Sequence, residues 1–185
     1  MLGKTNIFLI GPMGSGKSAV GKYLSRLVRA PFIDSDTEIE RRTGVDIPYI
    51  FEKEGEAGFR QRERETLDIL TADGPMVLAT GGGAVLLPEN RAMLSERGCV
   101  VYLKTSVAQQ VYRVKHARNR PLLNNVDPGE KLEQLMRIRA PIYEALADVT
   151  VSTDGRRVRT VAEEIMRTLN GSVPELTLPP PAAEG

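Results

Sequence analysis

Gly11-Pro12-Met13-Gly14-Ser15-Gly16-Lys17-Ser18 fits the phosphate-loop pattern G-x-x-x-x-G-K-[ST] and lies between an apolar run at residues 6–10 and a helical stripe. In that setting the glycines at 11, 14 and 16 let the backbone curl, so that successive N–H groups face inward at a helix N-terminus. Such a cradle holds the phosphates of a nucleoside triphosphate. The expected nucleotide contacts are Gly14, Ser15, Gly16, Lys17, Ser18 and Ala19. Lys17 is expected to reach the β- and γ-phosphates and the Ser18 hydroxyl to ligate Mg²⁺.

Outward from the loop, apolar runs at 6–10, 76–79, 99–103 and 149–152, with a weaker one at 31–34, read as strands. Between them run helical stripes, such as Ala19, Val20, Tyr23, Leu24, Leu27 and Val28, or Val158, Val161, Ala162, Ile165, Met166 and Leu169. Buried strands alternating with amphipathic helices predict an α/β fold, a three-layer arrangement with a parallel sheet flanked by helices. Ligands of such sheets bind beyond the C-terminal ends of the strands. Here those ends are the phosphate loop, Asp34-Ser35-Asp36 and Thr80-Gly81-Gly82-Gly83, so all three are expected to line one cleft.

Residues 36–72 read as a helical insertion over that cleft, broken at Gly44, Pro48 and Gly55. One domain, residues 1–170, is expected, followed by a disordered tail at 171–185 that contains Pro179-Pro180-Pro181. A net charge of +1 gives the molecule no field for binding nucleic acid or an anionic membrane. The single cysteine, Cys99, forbids an internal disulfide and reads as buried strand packing. No apolar run approaches membrane-spanning length, and a soluble cytoplasmic monomer is expected.

Asp34 and Asp36 stand two apart after the second strand, so in an extended chain they point the same way. One carboxylate then supports Mg²⁺ and the other accepts a hydrogen bond from a substrate hydroxyl; the bland alternative is an acidic cap and first turn for the next helix. Gly81, Gly82 and Gly83 are read as bare backbone that a ligand approaches closely, or as a tight turn. Between residues 98 and 126 there is no acidic residue, yet Lys104, Arg113, Lys115, Arg118 and Arg120 fall there. This basic stretch, at 113–129, reads as a lid that brings an arginine to the transferring phosphoryl group. Arg60, three residues before Glu63 on a helical pattern, is by itself an ordinary surface ion pair, and Arg139 stands at a helix boundary set by Pro141.

Taken in order, G-P-M-G-S-G-K-S, F-I-D-S-D, G-F-R-Q-R-E, A-T-G-G-G, R-N-R-P-L-L and R-A-P-I-Y resemble the shikimate kinases. The resemblance implies a P-loop, nucleoside-monophosphate-kinase-like fold that transfers the γ-phosphate of ATP to the 3-hydroxyl of shikimate. It places Asp36, Arg60, Gly82 and Arg139 on shikimate with Gly81 and Gly83 beside them, Asp34 with Ser18 at Mg²⁺, and Arg120 as the lid arginine. It puts the nucleotide base near residues 154–157, with Arg157 among the contacts. Lys17, Asp36 and Arg120 then form the catalytic set. The rivals are a gluconate kinase, which the Gly81–Gly83 and Arg60 constellation disfavours, and a nucleoside monophosphate kinase, which would need further arginines for a second phosphate and which the basic lid keeps open. A third is a phosphate-loop switch protein, which the glycine triplet, paired aspartates and lid arginines suit less well than a small acidic substrate does.

Overall fold

The computed structural model of the chain describes residues 6–114 and 127–172. Five strands, β1 (Asn6–Ile10), β2 (Phe32–Asp34), β3 (Val77–Ala79), β4 (Gly98–Lys104) and β5 (Val149–Ser152), form one parallel sheet in the order β2-β3-β1-β4-β5. The helices are α1 (Lys17–Val28), α2 (Ser35–Thr43), α3 (Ile47–Ala72), α4 (Pro88–Arg97), α5 (Val107–Val114), α6 (Pro128–Leu146) and α7 (Val158–Ser172). A single 3₁₀ turn, Ala84–Leu86, precedes α4.

Side chains alternate across a strand, and that alternation sorts the core into two layers. Ile7 and Leu9 of β1, with Cys99, Val101 and Leu103 of β4, pack against Val20 and Leu24 of α1 and Ile165 and Leu169 of α7. Phe8, Ile10, Val100 and Tyr102 point the other way, onto Leu67 of α3, Leu94 of α4 and Tyr143 of α6. Both faces are covered, as the unbroken apolar runs predict. Cys99 is among the buried strand residues.

The strands at 6–10 and 149–152 match their sequence-based bounds; β4 is one residue longer at each end, and β2 and β3 each start one residue later. The insertion is two helices. Gly44 ends α2, Pro48 sits in the first turn of α3 behind the Asp46 cap, and Gly55 interrupts α3 with φ 69° and ψ −175°. Ile39, Ile50 and Phe59 bind the two helices together in a small core of their own.

The expectation of a helix boundary at Pro141 is overturned. Helix α6 runs straight through it. Proline removes one intrahelical hydrogen bond, but the flanking Arg139 and Tyr143 are both buried and hold the helix on either side of it. Helix α7 extends to Ser172, past the expected domain end at 170. The rest of the expected tail lies outside the described residues, and no helix among the described ones is long and apolar enough to cross a membrane.

Candidate active site

The loop between β1 and α1 is open at the helix end. Gly16 caps α1 in the left-handed region, φ 89°, and no side chain caps the first turn. The first turn therefore has no side-chain acceptor at its cap, which is the condition for binding an anion there. The Lys17 ammonium donates to the carbonyls of Gly11 at 2.8 Å and Pro12 at 2.7 Å, and lines the cleft with Gly14, Gly16, Ser18 and Ala19. Ser15 is fully buried beneath the loop.

Asp34 takes the capping role of the bland alternative and also meets the phosphate loop. It ends β2 in an extended conformation and caps α2: Oδ1 accepts the Asp36 N–H at 3.1 Å, while Oδ2 accepts the Ser18 hydroxyl at 2.6 Å. One carboxylate thus links the phosphate loop to the helix that carries Asp36. The extended pair expected at Asp34 and Asp36 is not formed, because the chain turns into α2 between them and Asp36 lies in its first turn. Both still border one cleft of about 410 Å³, together with Thr80, Gly81 and Gly82. The three strand ends meet as the parallel-sheet rule predicts.

The glycine triplet is explained by space. None of the three has a positive φ. A Cβ on Gly83 would stand 2.1 Å from Arg60 Nη2, and one on Gly81 would stand 2.6 Å from Glu63 Oε1 and 2.9 Å from Asp36 Oδ1. A Cβ on Gly82 would lie 3.6 Å from Arg139 Nη1. Bare backbone at Gly81 and Gly83 therefore lets Glu63, Asp36 and Arg60 close in, and what approaches it here is the protein's own charge. The Ser35 hydroxyl accepts the Gly81 N–H at 3.0 Å, and the Tyr143 hydroxyl donates to the Gly82 carbonyl, so the triplet is pinned from α2 and from α6.

Arg60 and Glu63 form the ion pair that helical spacing predicts, at 2.6 Å, but it is not on the surface. Arg60 is 9% exposed, Arg139 5% and Glu63 not at all. Burial pushes the Glu63 carboxyl up to about 7 although Arg60 pulls it down; the Asp36 carboxylate adds to the rise and Arg139 opposes it. A buried arginine pair beside two carboxylates is poised for a small acidic, hydroxylated ligand, since guanidinium meets carboxylate through two parallel charge-assisted bonds.

Of the residues expected from sequence, Gly14, Gly16, Lys17, Ser18, Ala19, Asp34, Asp36, Gly81 and Gly82 border the cleft, while Arg60, Gly83 and Arg139 are not among its lining residues and pack against or within the glycine triplet behind it. Arg120 lies outside the described residues, as does most of the expected lid. Arg157 is exposed ahead of α7 and is not among the cleft residues. Arg113 is, and it bridges the phosphate loop to the β5 end by donating to the Gly14 carbonyl at 2.8 Å and the Thr153 carbonyl at 3.0 Å. Sequence reasoning assigned no site role to Glu63, Ser35, Tyr143 or Arg113 individually. The signal available was their adjacency to motif residues, with Ser35 inside D-S-D and Tyr143 closing R-A-P-I-Y.

Comparison with known proteins agrees with this geometry. A family model described as shikimate kinase matches residues 13–170. A shikimate kinase of Thioalkalivibrio sulfidiphilus is 56% identical over 88% of this chain and 86% of its own. The structure of shikimate kinase from Acinetobacter baumannii in complex with shikimate superposes with a TM-score of 0.88 at 48% identity, covering 90% of this chain and 93% of that one. A gluconokinase from Sinorhizobium meliloti, 17% identical with a TM-score of 0.59 and covering 94% of this chain and 96% of its own, shares the fold alone.

Proposed function

The chain belongs to the shikimate kinase family and transfers the γ-phosphate of ATP to the 3-hydroxyl of shikimate, and we propose that it does so in the cleft between the phosphate loop and the glycine triplet. The observation that carries this placement is the cluster of buried Arg60 and Arg139 with partly exposed Asp36 around bare glycine backbone, beside a helix N-terminus that no side chain caps. One wall suits phosphates and the other suits a carboxylate with hydroxyls.

In this reading Arg60 and Arg139 clamp the shikimate carboxylate. Glu63, touching Arg60 and not the substrate, orients that clamp. Asp36 accepts the hydrogen bond of the attacking hydroxyl and takes its proton as the new P–O bond forms and the bond from the γ-phosphorus to the bridging oxygen breaks, with ADP leaving. The Gly82 backbone, fixed by Tyr143, closes the floor. On the opposite wall the N–H groups of residues 14–18 and the Lys17 ammonium hold the β- and γ-phosphates, and Arg120 neutralises charge on the moving phosphoryl group.

The Ser18 hydroxyl and the Asp34 carboxylate are adjacent hard oxygen donors beside the phosphate cradle, and they fit Mg²⁺, which takes one or two protein oxygens and completes its shell with phosphate and water. Bound there, Mg²⁺ would neutralise charge on the β- and γ-phosphates. We propose that it acts as a monomer in the cytoplasm. The test is ADP release measured with shikimate, gluconate and nucleoside monophosphates in turn. Release with shikimate alone supports the reading, and faster release with gluconate or a nucleotide would reject it.

A further inference from the structure

Against the glycine triplet beside the cleft pack four ionisable side chains whose charges cancel only if both acids are ionised. Arg60 and Arg139 are the cations, and Asp36 and Glu63 the acids. Glu63 is the deepest of them, with no exposed surface. Its Oε2 accepts from Arg60 Nη1, and among the described residues its Oε1 has no hydrogen-bond partner. That oxygen and Asp36 Oδ1 crowd the same face of Gly81. The charged groups facing Glu63 are Arg60 from its own helix, Asp36 from α2 and Arg139 from α6, while the loop after β3 offers only backbone.

A carboxylate entering between the two guanidiniums adds a third negative charge to this buried cluster. It also draws on Arg60, the group that holds Glu63 as an anion. Both effects favour the neutral acid at Glu63, the fully buried residue of the four. We propose that binding of shikimate is coupled to the uptake of one proton by Glu63. The proton comes from solvent buffer and forms an O–H bond at Oε1. No other covalent bond changes. The new hydroxyl gives the unpartnered oxygen a donor role toward the Asp36 carboxylate, so that Asp36 remains the anion that meets the substrate hydroxyl. Glu63 is thus a positioning residue whose charge adapts the arginine clamp to its ligand.

The inference rests on the reading of Arg60 and Arg139 as the carboxylate clamp. Burial already raises the Glu63 carboxyl into the neutral range before any ligand arrives, so the uptake depends on pH in a definite sense. At about pH 8 Glu63 starts ionised and uptake approaches about one proton per site; at about pH 6 it starts protonated and uptake approaches zero. Shikimate affinity accordingly weakens as pH rises above neutrality, by up to about tenfold per unit.

The experiment is calorimetric titration of the full chain with shikimate, without nucleotide or divalent cation, in buffers of different ionisation enthalpy. Wild type should show uptake that grows from about pH 6 to about pH 8, Glu63→Gln should show none, and His116→Asn, which removes the only histidine, should keep it. Heats independent of the buffer at the higher pH would overturn the proposal on wild type alone. So would uptake that persists in Glu63→Gln or vanishes in His116→Asn. Absence of any shikimate binding would instead reject the clamp on which the proposal stands.

Discussion

The two walls of the cleft are built by different means. Residues 11–18 form theirs from contiguous backbone, with Gly16 in the left-handed region and Lys17 folded onto loop carbonyls. The facing wall collects Asp36 from α2, Arg60 and Glu63 from α3 and Arg139 from α6, and holds them against glycines that follow β3. The first wall needs only local chain geometry, whereas the second needs the whole insertion docked. Damage to the first should therefore appear in chemistry with the fold intact, and damage to the second should appear in acceptor binding and stability together.

The largest effect expected is on the phosphate wall. Lys17→Met should lower turnover by at least about 10²- to 10³-fold, the scale of a lost transition-state charge contact, while the melting temperature stays near that of wild type. A variant that instead unfolds would show that the loop is not independent of the fold.

Next is Arg60. Arg60→Ala leaves Glu63 buried without its counter-ion and should destabilise by about 3 kcal/mol, the lower end for a broken buried pair because Glu63 can take a proton. Arg60→Lys keeps the charge but not the planar fork, and should raise the shikimate KM by about 10- to 100-fold with the ATP KM unchanged. Equal changes in both constants would erase the contrast between the walls.

Gly83→Ala sharpens it further. The residue has φ −97° and ψ −1°, which alanine adopts, so the backbone tolerates the change and stability should fall only through overpacking, by about 1 to 3 kcal/mol. The new methyl falls on the Arg60 guanidinium, and the shikimate KM should rise by about three- to tenfold, the cost of roughly 1 kcal/mol of misplacement. Unchanged kinetics would mean that Arg60 is not held where the substrate meets it.

How legible each wall was in sequence follows the same division. The phosphate loop and the strands at 6–10 and 149–152 could be read directly, because they depend on local pattern. Arg60 and Glu63 looked like a surface pair, since i, i+3 spacing is the same whether the helix face meets water or a glycine triplet. Pro141 was misread for the same reason: the buried neighbours that carry the helix past it are tertiary contacts. Asp36 borders the expected cleft, but its geometry follows the bland alternative, an acidic cap and first turn, which a contact between Asp34 and Asp36 themselves forms.

The smallest effect expected lies outside both walls, on the outer face of α2. Hydrogen bonds from Arg41, then Arg42, outweigh burial and hold the Glu38 carboxyl down at about 2. A lowered carboxyl stabilises the fold above its unfolded value near 4.5 and loses that contribution as pH falls through about 2. Glu38→Gln should therefore cost less than about 1 kcal/mol at neutral pH, given the exposed arginine partners. The difference between variant and wild type should shrink as urea melts are moved from about pH 5 toward about pH 3. A larger loss, or any change in shikimate KM, would make α2 part of the acceptor wall along its whole length.

Asp34 has both carboxylate oxygens engaged, one with Ser18 of the phosphate loop and one with the first turn of α2. For anyone wishing to re-engineer the acceptor, this marks the seam of the scaffold. Replacement helices grafted after position 34 inherit a ready-made anchor to the nucleotide half, and a graft that begins upstream has to rebuild it.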